Sequence, residues 1–281
     1  MKKNKAFTLI EILVVITIIG LLSSIVLVAI KSTKEKARIV KILQFAAQVY
    51  HALGADAVGI WDFDEGDGTT VNDRSGNNNN GTLINGPVWK CASANPDYTP
   101  SGKGCSLEFD GSNDYVRIDS VVVSSPTSLT ISAWFKKESG GANYECALHQ
   151  SSNTTIGGSS YWLGVDSDDY LTATIGARTG VGWDAGRTNI KANYGMWYYL
   201  VASWDGSTVK VYVNGKYIKK YSLTSYSNLT TPTRIGASGD GTGYLFRGNI
   251  DEVRIYKESL TQAQIQKLYA EGLKEHNLVS K

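Results

Sequence analysis

Val209-Lys-Val-Tyr-Val-Asn-Gly-Lys-Tyr-Ile218 places three valines, Val209, Val211 and Val213, on one face of an extended segment and follows them with Asn214-Gly215. Alternation with a period of two marks a half-buried strand, and Asn-Gly supplies the two left-handed residues of a type I′ turn. The stretch is therefore a β-hairpin. Asp205-Gly206 makes a similar turn just before it.

The neighbouring segments carry the same signature. Short alternating or β-branched runs separated by Gly, Asn, Asp and Ser clusters predict strands at 60–63, 105–109, 115–118, 128–135, 144–149, 161–165, 171–175, 197–203, 209–213, 217–221 and 250–255. Helical periodicity is missing until Thr261-Gln-Ala-Gln-Ile-Gln-Lys-Leu-Tyr-Ala-Glu-Gly272. There Thr261 and Gln264 fit a capping box, Ile265, Leu268 and Tyr269 share a face, and Gly272 fits the stop. The expected fold is mainly β: an antiparallel sandwich of jelly-roll type over residues 60–273, with a short C-terminal helix and a tail at 274–281.

The N-terminal part has a different character. Phe7 to Ile30 is apolar apart from the charge of Glu11 and a few small polar residues. As a helix it would span roughly 36 Å, enough for a bilayer core. Lys2, Lys3 and Lys5 precede it without an acid, which keeps the N-terminus cytoplasmic and sends the rest outward. The run is too long for the apolar region of a signal peptide, and no small-x-small cleavage site follows it. Ile39, Leu43, Ala46, Tyr50 and Leu53 then recur at steps of four and three, so the helix is expected to continue over 7–53 until Gly54 ends it. Residues 54–59 read as the linker.

A carboxylate at bilayer depth costs roughly 2.5–3.5 kcal/mol on insertion scales and calls for a partner. Cleavage between Ala6 and Phe7 would create one, the α-amino group of Phe7 on a neighbouring subunit. Lys5-Ala-Phe-Thr-Leu-Ile-Glu11 followed by an apolar run resembles the N-terminus of type IV pilins and pseudopilins. The resemblance implies removal of residues 1–6 by a prepilin peptidase, N-methylation of Phe7, and packing of the helix among other pilin-like subunits, with Glu11 setting the register. Ala6 stands where that family most often has Gly. The implied location is the inner membrane before assembly and an extracellular filament or the cell surface afterwards.

A chain of 281 residues has room for this helix and one domain large enough to bury its own core. With 28 Lys and Arg against 26 Asp and Glu, the balance argues for neither nucleic acid nor an acidic surface as partner. Of three cysteines, Cys91 and Cys105 enclose a Pro/Gly/Ser-rich loop and are expected to pair, whereas Cys146 reads as a buried apolar residue. The three histidines are too scattered for zinc.

Trp61-Asp-Phe-Asp-Glu-Gly-Asp-Gly, Leu107-Glu-Phe-Asp-Gly-Ser-Asn-Asp-Tyr-Val116, Trp197-Tyr-Tyr-Leu-Val-Ala-Ser-Trp-Asp-Gly206 and Gly248-Asn-Ile-Asp-Glu-Val-Arg-Ile-Tyr256 resemble the laminin-G-like jelly rolls of the concanavalin A-like lectin/glucanase superfamily. Such heads bind carbohydrate or cell-surface ligands, and some hydrolyse glycans. Hydrolysis needs two carboxylates at alternate positions of one strand face. Glu65-Gly-Asp67 comes nearest but Thr69 and Thr70 follow it, and Asp251-Glu252 face opposite sides of a strand, so an enzyme is not expected.

Trp61, Trp134, Trp197 and Trp204 lie inside strand motifs and read as structural. Tyr98, Trp183, Tyr194 and Tyr244 lie in Gly/Asn-rich loops and are the candidate ligand platforms. Related jelly rolls often hold Ca²⁺ in loops rich in oxygen donors. By that resemblance Asp73, in Asp73-Arg-Ser-Gly-Asn-Asn-Asn-Asn-Gly81, is a candidate ligand with Asn80 and Asp251, against the alternative of a polar turn. The functions in view are a filament subunit with an adhesive lectin-like head, a filament subunit whose head is only a spacer, and an anchored lectin that does not polymerise.

Overall fold

Arg247–Tyr256 is the longest strand among the described residues, and one of two sheets is built around it. The computed structural model describes residues 56–273 apart from 121, 124, 152–158, 177–181, 183, 225, 227–230 and 240, together with residues 9, 13, 14 and 16. In chain order the strands are β1 (Ala57–Trp61), β2 (Thr70–Val71), β3 (Gly81–Ile84), β4 (Val88–Cys91), β5 (Cys105–Asp110), β6 (Tyr115–Ile118), β7 (Leu129–Lys137) and β8 (Glu145–Ser151). They continue as β9 (Ser159–Val165), β10 (Tyr170–Ile175), β11 (Arg187–Lys191), β12 (Trp197–Trp204), β13 (Thr208–Val213), β14 (Lys216–Ser222), β15 (Thr233–Ile235) and β16 (Arg247–Tyr256). Helix α1 (Gln262–Gly272) follows.

The first sheet runs β14-β13-β12-β7-β16-β5-β4, and the second runs β11-β10-β9-β8-β15-β6-β3-β2. The ladders are antiparallel. Because side chains alternate, each strand gives one row to the interior. Ile131, Ala133 and Phe135 of β7 and Val209, Val211 and Val213 of β13 share the core with Tyr161, Leu163 and Val165 of β9. Strand β16 serves two neighbours on one side: Arg247–Ile250 pair with β5, and Val253–Tyr256 pair mostly with β1. Between the two stretches the ladder with β7 bulges after Asp251, with Glu252 at φ 50°.

The predicted hairpin is present, with Asn214 at φ 51° and Gly215 at φ 71°. Asp205-Gly206 differs from the expectation. Only Gly206 is left-handed there, and the Asp205 carboxylate accepts from Ser207 N at 3.0 Å and Thr208 N at 2.8 Å, closing an Asx-type turn. Strands β2, β3, β4, β11 and β15 are additional to those expected. Each has five residues or fewer and takes its extended form from a longer partner rather than from its own alternation. β1 starts at Ala57, so the end of the expected 54–59 linker belongs to the sandwich.

The capping box of α1 is formed: the Thr261 side chain accepts from Gln264 N, and Gln264 Oε1 accepts from Thr261 N at 2.8 Å. Gly272 is the last helical residue, not the stop beyond it. A Cβ there would lie 2.4 Å from Trp134 Nε1, so the glycine permits close approach. Trp134 projects from the outer face of the first sheet and stacks on Tyr269 of α1 at 5.3 Å.

Near the N-terminus, residues 9, 13, 14 and 16 are helical, with Leu9, Leu13, Val14 and Ile16 exposed. No helix among the described residues is long and apolar enough to cross a membrane. The rest of the expected 7–53 helix, its 7–30 span, and Ala6, Phe7 and Glu11 lie outside the described residues, as does the 274–281 tail.

Candidate functional site

The disulfide Cys91–Cys105 ties β4 to β5 at their ends and closes the loop between them. That loop lies on the outer face of the first sheet. Asn95 caps a 3₁₀ turn, Pro96–Tyr98. The Asp97 carbonyl accepts from Lys136 Nζ at 2.8 Å and Trp197 Nε1 at 3.2 Å, while Ser106 Oγ donates to the Tyr98 carbonyl. Tyr98 is consequently half-buried, its ring 5.4 Å from Lys90 Nζ and 6.0 Å from Lys136 Nζ. Lys136 Nζ also lies 5.5 Å from the centre of the Trp197 ring. These are cation–π distances.

Beside this patch the turn before β12 is held by backbone bonds. Ala192 N donates to Asp169 O at 2.8 Å, Gly195 N to Lys137 O at 2.8 Å, and Asn193 N to Tyr198 Oη at 3.1 Å. Gly195 takes φ 73° to make the turn. Tyr194 and Met196 stand out from it, 54% and 52% exposed. With half-buried Trp197 they form an aromatic and thioether ledge leading to Tyr98. Flat apolar faces held by a rigid turn are suited to stacking on a sugar ring, because little entropy is lost on contact.

A buried ion network supports the ledge from below. Lys137 Nζ sits 3.0 Å from Glu145 Oε1 and bonds Asp169, with its charge 5.6 Å from the Tyr194 ring. Glu145 Oε2 accepts from Arg247 N at 2.8 Å. Burial raises the Glu145 carboxyl above its usual range, more than Arg247 N–H and Lys137 lower it. Burial pulls the Lys137 ammonium down, but its bonds to Asp169 and Glu145 leave it above its usual value. Fully buried and ion-paired, Glu145 is a structural charge linking β7, β8 and the β9–β10 loop.

The other expected residues lie elsewhere. Tyr244 packs edge-on against Tyr144 at 5.5 Å beside Cys146 and Trp162, and its carbonyl accepts from Cys146 N. Trp183 falls outside the described residues. Cys146 is a buried free thiol, pushed well up by burial. The structure thus brings Tyr98 and Tyr194 to the two ends of one ledge and sets Tyr244 apart. Trp197 and the lysines behind the ledge escaped the sequence reading because they lie within strand motifs; the exposed Met196 next to Gly195 was the available signal.

Asp73, Asn80 and Asp251 do not fit a calcium ion as they stand. Asp73 Oδ1 accepts from Ile60 N and Ser75 N, and Oδ2 from Ser75 Oγ and Asn79 N, all at 2.8–3.0 Å. Asn80 Oδ1 accepts from Asp73 N at 2.8 Å. The lone pairs a cation would need are taken by donors, and the run is a polar turn clasping β1. Asp251 lies at the β16 bulge, where it accepts from Glu252 N at 2.7 Å. Among the described residues no three His, Cys, Asp or Glu side chains gather as a metal site.

Two antiparallel sheets enclosing one core define a lectin-like β-sandwich, and the chain begins with a pilin-like N-terminal motif. The chain belongs to the concanavalin A-like lectin/glucanases superfamily, whose model matches residues 110–266. Residues 1–27 match the prokaryotic N-terminal methylation motif.

Among solved structures, domain 4 of the extracellular arabinanase AbnA from Geobacillus stearothermophilus, in complex with arabinotriose, is similar at 21% identity and TM-score 0.58, covering 76% of this chain and 98% of that one. The binding domain of Paraclostridial Mosquitocidal Protein 1 is similar at 13% identity and TM-score 0.54, covering 78% of this chain and 53% of that one. Trypanosoma rangeli sialidase, in complex with the inhibitor DANA, follows at 14% identity and TM-score 0.54, covering 82% of this chain and 38% of the enzyme. At these identities the likeness is one of fold. No curated protein sequence matches the chain.

Proposed function

We propose that this protein is a type IV pilin-like or pseudopilin filament subunit whose lectin-like head binds a glycan on a surface, and that it acts in adhesion without hydrolysing its ligand. The observation that carries the reading is the combination, on one chain, of the methylation motif and a concanavalin A-like sandwich. The ledge of Tyr194, Met196 and Trp197 supports it, since Tyr194 and Met196 present more than half of their surface to solvent from a turn held by backbone bonds. The reading without hydrolysis is supported by the sequence, which contains no Glu-x-Asp-x-Glu or Glu-x-Asp-x-x-Glu run, and by Glu145 being locked by Lys137 and Arg247 N–H. Prepilin peptidase, an assembly machinery and other pilin-like subunits are the partners this implies, with the inner membrane as the place of assembly.

Residues 53–281 form a compact unit by themselves. A soluble fragment of residues 54–281 screened on a glycan array should bind a defined set of saccharides. Tyr194→Ala and Trp197→Ala should each weaken that binding about tenfold, as the loss of about 1.4 kcal/mol of stacking requires. A fragment that is folded by thermal unfolding yet binds no glycan would refute the adhesive reading and leave a spacer head.

A further inference from the structure

On the outer face of the first sheet, Lys210 of β13 and Lys220 of β14 are direct cross-strand partners. Like charges placed opposite one another destabilise a ladder. Lysines on an edge strand discourage pairing with other chains, which accounts for Lys216 and Lys220 of edge strand β14. It does not account for Lys210, one strand further in. Lys210 Nζ lies 3.7 Å from Asp205 Oδ2, a long and exposed contact. Lys220 is exposed, with no ion partner among the described residues.

The two lysines open onto a cleft of about 640 Å³ between this hairpin and the start of α1. Tyr217, 40% exposed, lies along it in edge-to-face contact with Tyr212 at 5.8 Å. Tyr212, itself only 3% exposed, also lines the cleft. The opposite wall is Ser259, Thr261 and Gln262. Thr261 is the N-cap of the 11-residue α1, so the positive end of the helix dipole adds to the field of the lysines.

We propose that this cleft binds an acidic saccharide unit, its carboxylate or phosphate between Lys210 and Lys220, its ring on Tyr217, and a ring hydroxyl on Tyr212 Oη. Asp205 at the rim offsets only the Lys210 side, so the lysine pair keeps a net positive charge for one acidic group. The proposal deepens the adhesive reading above and rests on it, but uses a cleft that shares no residue with the ledge of Tyr194 and Trp197.

The test uses the full-length protein in non-ionic detergent and isothermal titration with three probes: trigalacturonate, its methyl ester, and mannose 6-phosphate. Trigalacturonate or mannose 6-phosphate should bind, and which one does assigns the anion to a carboxylate or a phosphate. The methyl ester should bind at least about tenfold more weakly than the acid. Lys220→Ala and Tyr217→Ala should each lower the affinity about tenfold, Tyr212→Phe by less, and Lys216→Ala, outside the cleft, not at all. Equal binding of acid and ester, or full affinity in Lys220→Ala and Tyr217→Ala, would overturn the site. Binding of neutral glycans alone would overturn it while leaving the adhesive reading intact; binding of no glycan of any kind would remove both.

Discussion

Replacing both Cys91 and Cys105 by serine opens the loop that carries Tyr98. The cysteines are separated by 14 residues, and the chain-entropy relation for a loop of that length gives about 3 kcal/mol of stabilisation through restriction of the unfolded chain. A head of roughly 230 residues gains about 0.5 kcal/mol per kelvin of entropy on unfolding, so the melting temperature should fall by about 6 °C. The loop should remain docked at room temperature, because Lys136, Trp197 and Ser106 hold it by hydrogen bonds that do not involve sulfur. Thermal unfolding of wild type, the double variant and reduced wild type, with peptide mapping under non-reducing conditions, checks this. Wild type should yield one linked peptide joining Cys91 and Cys105, with Cys146 unmodified until the protein unfolds. A fall below about 1 °C would show that the unfolded chain does not gain the freedom the loop length implies, and a peptide containing Cys146 in a disulfide would refute the pairing.

Glu11→Ala and Glu11→Leu should leave the chain inserted but poorly incorporated into filaments, and mass spectrometry should find Phe7 as the mature N-terminus; normal filament yield from sheared cells in both variants would count against the ion pair. Gly272→Ala should lose about 1–3 kcal/mol from the clash with Trp134, against a helix-propensity gain of about 1 kcal/mol, so a variant more stable than wild type in urea would disprove the close approach. Burial, followed by the charges of Glu252, Asp64 and Asp62, raises the Asp251 carboxyl well above its usual value. With the folded value above the unfolded one, this group's contribution is present at low pH and is lost as pH rises through that interval, at about 1.4 kcal/mol per pH unit. Asp251→Asn should therefore gain stability relative to wild type as pH rises from 4 to 8, and a constant difference would refute the shift. Asp73→Ala should cost about 2–3 kcal/mol by freeing four donors, equally with calcium and with chelator; a calcium-dependent melting shift abolished by this change would restore Asp73 as a metal ligand.

The parts of this protein that one short window decides could be read from the residues alone. Val209–Val213 with Asn214-Gly215 states its own hairpin, because alternation and left-handed turn residues are local requirements. Thr261 and Gln264 state their capping box, and Cys91 and Cys105, close in sequence around a loop-forming stretch, state their disulfide. The N-terminal processing motif and the family of the head are likewise legible, since both rest on runs of defined residues.

What the windows could not show depends on neighbours far away in sequence. β15 is three residues long and extended because it completes ladders with β6 and β8 on its two sides. Gly272 looks like a helix stop until Trp134 is seen against it, and Asp73 looks like a metal ligand until the amides of Ile60, Ser75 and Asn79 are counted on its oxygens. The ledge joins Tyr98 to Trp197 through a shared Asp97 carbonyl, and the cleft joins Lys210, Lys220 and Tyr217 to the N-terminus of α1. Local sequence fixes backbone conformation because sterics and hydrogen bonding act over a few residues; the faces that touch, and so the sites, are fixed only when long-range pairing sets the register.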